Sequence, residues 1–310
     1  MQKKVLSFSL LASGWLLSNS GKLFPRLTAR LFFRLYTTPP ARKPSGSQLK
    51  LRGRAVADKV TFSRYGFDSR PLQIATFRWG GPGKKVLLLH GWGSSGLGFE
   101  ALTDALVKAG YEVISFDQPA HGASGGRRTT LIQWMHMLDQ YLRHEGPVYA
   151  VVGHSIGALN AALTLARKEH PTPKLVLAGP PLSAPAFFQD SFEFFKIPLK
   201  VRSEVFGLVR TKYRDDLIGM DLHRYIGRIG AGQILLVYDE RDELVRHAEL
   251  QAYSESYPEM KTFPVKGDGH FRILKNRAVI EKILSFLGEE LEKSARDGLM
   301  RVGEDDRAGI

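Results

Sequence analysis

The stretch "VVGHSIGALN" runs from Val151 to Asn160 and sets a serine between two glycines. An apolar run, "VYAVV", precedes it, and a run of good helix formers, "GALNAALTLARKE", follows it. Gly153-His154-Ser155-Ile156-Gly157 fits the pattern G-x-S-x-G on a strand–turn–helix. A nucleophile lifted above a sheet edge needs so sharp a turn that its neighbours two positions away must be small. Glycine and serine are also what an ordinary tight turn favours. The pentapeptide alone does not separate a reactive serine from a turn filler, so the rest of the chain must supply its partners.

Upstream, "LLLHGWGSSG" (87–96) ends an apolar run in His-Gly-x-Gly. Such a turn aims a backbone N–H at a reacting carbonyl oxygen. The amides of Trp92 and Ile156 are the expected oxyanion donors. A glycine-rich loop that merely closes a helix N-terminus would look similar. A phosphate loop would not, since G-x-x-x-x-G-K-[ST] is absent.

Downstream, the serine needs a base to take its proton. Of the nine histidines, His270 in "VKGDGHFRIL" follows the last apolar run, and flanking glycines suit a loop that lets imidazole reach inward. His90, His121 and His154 belong to their local turns; the others fall in helix or cap segments. The acid is expected after the preceding strand, where "LLVYDERDELV" offers Asp239, Glu240, Asp242 and Glu243. Asp242 lies a few residues past the strand, with Leu244 and Val245 to anchor its loop, and is preferred. Asp239 sits close to the strand end. Asp242 would hold the His270 tautomer and stabilise its imidazolium as Ser155 attacks.

Around these motifs, short apolar runs alternate with helical patterns from residue 72 onward. Strands are predicted at 85–90, 111–116, 148–153, 174–179, 233–238 and 260–265, with helices near 98–109, 129–144, 157–169, 245–256 and 276–293. Continuous Val/Ile/Leu runs indicate strands buried on both faces. The alternation predicts an α/β fold with a mostly parallel sheet and helices on both faces. A pair at 55–65 and 72–79 reads as an antiparallel edge hairpin. Residues 180–229 break the rhythm with aromatic, helical segments and no strand. Domain organisation follows: a basic arm (1–54), a core (55–179 and 230–294), an insertion (180–229) and a polar tail (295–310).

The chain of 310 residues is 43% hydrophobic and 24% charged, with no cysteine. Disulfides and thiolate metal sites are therefore excluded, which fits a reducing compartment; a cytoplasmic location is expected. The net charge of +13 is concentrated in the arm, where residues 1–54 hold eleven Lys or Arg and no acid, leaving about +2 for the rest. A nucleic-acid enzyme would carry its charge along a groove of the body, so no nucleic-acid partner is expected. The arm opens with Lys3, Lys4 and "VLSFSLLASGWLLS", which resembles a signal peptide without a clean cleavage site and is short for a membrane span.

Next comes "KLFPRLTARLFFRLY", a basic amphipathic helix. Leu23, Leu27, Leu31 and Leu35 form one row, and Lys22, Arg26, Arg30 and Arg34 another. Two readings stay open. Residues 1–36, through this helix, either make peripheral contact with an anionic membrane surface, or the helix packs its apolar face on the catalytic body with its arginines solvated. Because apolar helix faces are usually buried in protein, the second is favoured. "TTPPARKPSGS" then reads as a linker.

With "HGWG", "FDQPAHGAS", "GHSIGA", "YDERDELV" and "GDGHF" in this order, residues 72–290 resemble the α/β-hydrolase family. Ala120 stands where many members carry glycine; Gly122 and Ser124 keep their places. The resemblance implies an eight-stranded sheet and a small helical cap after the sixth strand, where 180–229 falls. It implies Ser155 as nucleophile, Asp242 as acid, His270 as base and the amides of Trp92 and Ile156 as oxyanion donors, with no metal or organic cofactor. The serine argues against haloalkane dehalogenases and epoxide hydrolases, which carry aspartate at the elbow. The expected reaction is hydrolysis of an ester-like bond in a small, apolar molecule through an acyl-enzyme on Ser155. Phe187, Phe188, Phe192, Phe194, Phe195 and Phe206 would either line an apolar pocket or only pack the cap. A C–C bond, thioester or lactone suits the same residues, and a non-catalytic binding module on the same fold is the alternative from another class.

Overall fold

Val86 to Leu89 are all fully buried, so this short strand has no solvent face and must be covered on both sides. Val86 and Leu88 join a core with Leu102, Leu106, Val279, Ile283 and Phe286 from two helices, while Leu87 and Leu89 point to the opposite face, as a period of two requires. The computed structural model describes residues 17–63, 70–167, 170–213 and 219–290. The expected tail at 295–310, most of the apolar run near the start and the hairpin connection at 64–69 lie outside them.

Eight strands form one sheet in the order β1-β2-β4-β3-β5-β6-β7-β8. They are β1 (Val56–Phe62), β2 (Leu72–Trp79), β3 (Lys85–Leu89), β4 (Glu112–Phe116), β5 (Ala150–His154), β6 (Thr172–Ala178), β7 (Ala231–Asp239) and β8 (Lys261–Val265). β1 and β2 pair antiparallel, β2 pairs antiparallel with β4, and all remaining pairs are parallel. Helices Glu100–Lys108 and Arg277–Gly288 pack together, as do Leu131–Glu145 and Ile156–Arg167. The strand order reverses at β3, so the carboxyl ends of β3 and β5 lie side by side at the switch point where open α/β sheets place their sites.

The chain forms two compact units. One holds the described residues up to Thr38 with Ser183–Asp221; the other holds Pro39–Leu182 and the residues from Leu222 onward, with the whole sheet. In the first unit, helix Pro25–Tyr36 packs on helix Leu199–Tyr213. Phe32 lies 5.1 Å from Phe192 and Tyr36 stacks on Phe188 at 4.3 Å between ring centroids. Phe206 meets both insertion rings edge-on. Phe188 and Phe192 are thus consumed in this unit's own packing. The side chains of Phe187 and Phe194 lie outside the described residues.

The leucine row is not the buried face of helix Pro25–Tyr36. Thr28, Ala29, Phe32 and Phe33 are buried, whereas Leu27, Leu31 and Leu35 are exposed. As favoured, the helix packs against protein with its arginines solvated, but it does so on helix Leu199–Tyr213 and through its aromatic face, not through the leucine row. Small Ala29 admits a close neighbour and the two rings supply more area than the leucines, so tertiary fit chose the aromatic face. Among the described residues no helix is long and apolar enough to cross a membrane.

A Cβ on Gly157 would stand 2.4 Å from the Leu89 carbonyl oxygen and 2.5 Å from that of His90, and one on Gly153 2.4 Å from the Ala158 Cα. Strand ends and helix therefore meet backbone to backbone. Gly157→Ala is expected to cost about 2 kcal/mol or more, because backbone atoms have nowhere to move. Gly207, inside helix Leu199–Tyr213, has open space where its Cβ would go, so Gly207→Ala should gain up to about 1 kcal/mol from helix propensity. Urea denaturation of both variants reads the two signs.

Candidate active site

Strand β5 ends at His154 and the next helix begins at Ile156, leaving one residue for the whole turn. That residue, Ser155, sits at φ +55°, a left-handed conformation costing roughly 1–2 kcal/mol outside glycine. Its N–H donates to the Ala178 carbonyl at 2.8 Å, and its own carbonyl accepts from Ala158 and Leu159. The hydroxyl stands at the N-terminus of helix Ile156–Arg167, where the aligned peptide dipoles favour negative charge.

The loops after β7 and β8 bring two more side chains to this point. His270 Nε2 lies 2.8 Å from Ser155 Oγ, and His270 Nδ1 lies 2.7 Å from Asp242 Oδ2. Both His270 and Asp242 side chains are almost fully buried. The other carboxylate oxygen, Asp242 Oδ1, accepts the N–H groups of Leu244 and Val245, each at 2.8 Å. An acceptor carboxylate at Nδ1 places the proton there and leaves Nε2 to receive the serine proton. The structure therefore brings Ser155, His270 and Asp242 into one hydrogen-bonded line.

The "HGWG" turn lies beside the serine: a Cβ on Gly91 would stand 3.0 Å from Ser155 Cβ. Buried histidines hold this turn. His90 Nδ1–H donates to the Gly91 carbonyl at 2.8 Å and Nε2 accepts from the Gln118 N–H at 2.9 Å. The Gly93 N–H donates to His121 Nε2 at 3.0 Å, and His121 Nδ1–H donates to the Pro119 carbonyl. With Gly93 so engaged, Trp92 is the residue of the turn placed between Gly91 and the His121 anchor, its ring stacked on Trp134 at 5.9 Å. Ile156 follows Ser155 directly as the first residue of its helix.

The "FDQPAHGAS" segment is built around the Asp117 carboxylate. It accepts from the Gly96 N–H and the Ala123 N–H, both at 2.7 Å. A Cβ on Gly122 would stand 2.0 Å from that carboxylate, so glycine is required there. Ala120 takes φ +63°, the left-handed conformation that a glycine would take more easily.

Three contributors were not legible as such in the sequence. Asp239, set aside as the acid, is fully buried and ties both functional loops together. Its Oδ1 accepts from the Arg241 and Gly267 N–H groups at 2.7 and 3.2 Å, and its Oδ2 from those of Asp268 and Gly269 at 2.8 and 3.0 Å. Burial alone would raise this carboxyl, but the four N–H donors outweigh it and hold its pKa below the usual range. His154 is more than a neighbour: its Nε2–H donates to the His270 carbonyl at 2.8 Å, linking the elbow to the base's loop. Gly179, at φ +55°, lies against the pair, its Cβ position 3.4 Å from Asp242 Oδ2 and 3.6 Å from His270 Nδ1. The only signals were positional: a strand-end acid, an elbow histidine and a strand-end glycine.

A family model described as serine aminopeptidase, S33, matches residues 80–224. Among solved structures, an esterase of Pyrococcus furiosus is similar with a TM-score of 0.59 at 22% identity, covering 81% of this chain and 98% of that one. This chain has the α/β-hydrolase fold. A bromoperoxidase of Bacillus anthracis is similar at 19% identity and a TM-score of 0.55, over 75% of this chain and 100% of that one. A bacterial membrane phospholipase A reaches 0.59 at 18% identity, over 77% and 88% respectively. At such identities the likeness is one of fold, and these neighbours differ in chemistry. No curated protein matches this sequence.

Two titration predictions follow from the site. Burial pushes His121 down to about 4, and burial with the nearby His270 does the same to His154. Both fold neutral, so between about pH 6.5 and 4 the unfolded chain binds protons that the folded chain refuses. Stability should fall on acidification through that window, by up to about 3 kcal/mol per pH unit for the pair; urea denaturation at stepped pH measures it. Asp239 contributes stability that is present above its unfolded pKa of about 3.9 and lost as pH falls through its lower folded value. Asp239→Asn is expected to cost about 2 kcal/mol near neutrality and to flatten the pH dependence below about pH 4, since the group no longer titrates.

Proposed function

We propose that this α/β-hydrolase cleaves an ester-like bond of a small molecule through an acyl-enzyme on Ser155. The observation that carries this reading is the line from Asp242 through His270 to Ser155 Oγ, with both contacts at hydrogen-bond length. Acyl transfer needs a nucleophile, a base within about 3 Å of it and an orienting carboxylate, in that order.

In the proposed reaction Ser155 Oγ bonds to the substrate carbonyl carbon while His270 Nε2 takes the hydroxyl proton. Asp242 stabilises the imidazolium through Nδ1–H and keeps its own two oxygens fully engaged. The carbonyl oxygen, now negative, is met by the amides of Trp92 and Ile156. Collapse breaks the bond to the leaving group, which departs with the proton from His270. A water then gives its proton to His270 and adds to the acyl carbon, and the second collapse returns the proton to Ser155 and frees the acid. The balance is one water consumed per bond broken, and no residue outside this set changes its protonation.

The substrate's acyl group is the open variable. Phe188 and Phe192 are packed on Phe32 and Tyr36, so they do not speak for an apolar pocket. Ester hydrolysis rather than passive binding is favoured by the polar line itself. A binding module has no use for a serine held at φ +55° with a buried base and acid aimed at it.

A panel of p-nitrophenyl esters of increasing acyl length should be turned over, with the preferred length marking the acyl pocket. Ser155→Ala should lose about 10⁴-fold or more in kcat with its thermal transition retained, and Asp242→Asn, which keeps the shape of the side chain, about 10³-fold or more. Turnover of no ester, thioester or lactone would sink the reading.

A further inference from the structure

Helix Pro25–Tyr36 has three kinds of residue where an ordinary surface helix has two. One face, Thr28, Ala29, Phe32 and Phe33, is buried. On the solvent side lie Leu27 at 66%, Leu31 at 41% and Leu35 at 55% exposure, continued at the N-terminal end by Leu23 at 76% and Phe24 at 61%. One position before each leucine of the row stands a cation, Lys22, Arg26, Arg30 or Arg34, and all four are exposed. Residues spaced by four lie in rows along a helix surface, so a leucine row and a cation row run side by side. Single exposed leucines need no explanation, but five large apolar groups on 13 consecutive positions (23–35) do.

We propose that this face seats the protein on the surface of an anionic phospholipid bilayer, the leucines entering the acyl boundary and the arginines engaging lipid phosphates. The occupant is chosen by charge. Residues 1–54 contain no Asp or Glu, so no acid on the helix competes for the arginines; among the described residues Arg26 reaches across to Glu204 at 3.4 Å, an exposed pair of little strength. A second copy placed on the same stripe would set arginine row against arginine row without acids to relieve it. An interfacial bilayer offers both a sink for the leucines and phosphates for the arginines. The helix is held for this orientation from behind, because the stacks of Phe32 on Phe192 and Tyr36 on Phe188 fix which side faces out. The helix has 12 residues, too few to span a bilayer, so the contact is interfacial.

The full chain tests this by co-sedimentation with vesicles of phosphatidylcholine alone and of phosphatidylcholine with about one third phosphatidylglycerol. Binding should need the anionic lipid and weaken as salt rises. The triple variant Leu27→Gln, Leu31→Gln, Leu35→Gln should bind at least about tenfold more weakly to the anionic vesicles. Arg30→Gln with Arg34→Gln should lower both affinity and its salt dependence. These positions are exposed, so the thermal transition of each variant should match the parent, and a variant that melts early is replaced by Leu27→Ser alone. Equal binding by parent and leucine variant would overturn the proposal, as would a concentration-dependent dimer that the leucine variant abolishes in the absence of lipid. The readout is lipid binding, so it stands or falls independently of ester turnover.

Discussion

Everything at the site depends on how closely one helix approaches two strand ends. Gly157 brings the start of helix Ile156–Arg167 so near the end of β3 that a single added carbon would strike the Leu89 and His90 carbonyls. Gly153 does the same against Ala158. With the helix fixed there, β5 has one residue in which to turn, and Ser155 takes a left-handed conformation that its own side chain resists. The strain is sustained by the sheet behind it: Val151 and Val152 are fully buried in parallel register between β3 and β6. A serine in a relaxed turn would lie lower in the strand end. Here it stands where loops from two later strands can reach it.

Those loops are organised by backbone groups more than by side chains. Asp239 gathers four N–H groups, one from the loop that carries Asp242 and three from the loop that carries His270. His154 then bonds the His270 carbonyl, so elbow, acid loop and base loop form one connected set. The buried histidines are held neutral by burial, which keeps positive charge away from the imidazolium that His270 would form in the proposed reaction.

Much of this was legible in the sequence because the relevant signals are local. Alternating apolar runs located the strands, and G-x-S-x-G with His-Gly-x-Gly located the ends of β5 and β3. Chain order then nominated Asp242 and His270. Asp239 was not legible as an anchor, because three of its four partners are main-chain amides of a loop 28 to 30 residues away, and no pattern of residue types encodes an amide. The arm helix shows a different limit. Periodicity found an amphipathic helix, but "KLFPRLTARLFFRLY" carries two apolar faces, leucine and aromatic. Which one is buried was decided by Phe188 and Phe192, more than 150 positions along the chain. Side chains that pack on distant residues are invisible to a local reading, and the exposed leucines are what remained.

The central claim is that Ser155 becomes covalently acylated. Rapid acid quench of the protein with p-nitrophenyl acetate, followed by peptide mass spectrometry, reads it directly. One acetyl group is predicted on the peptide containing Ser155, formed within the burst and absent from Ser155→Ala. Ester turnover that persists in Ser155→Ala, with no acetyl on that peptide in the parent, would contradict it.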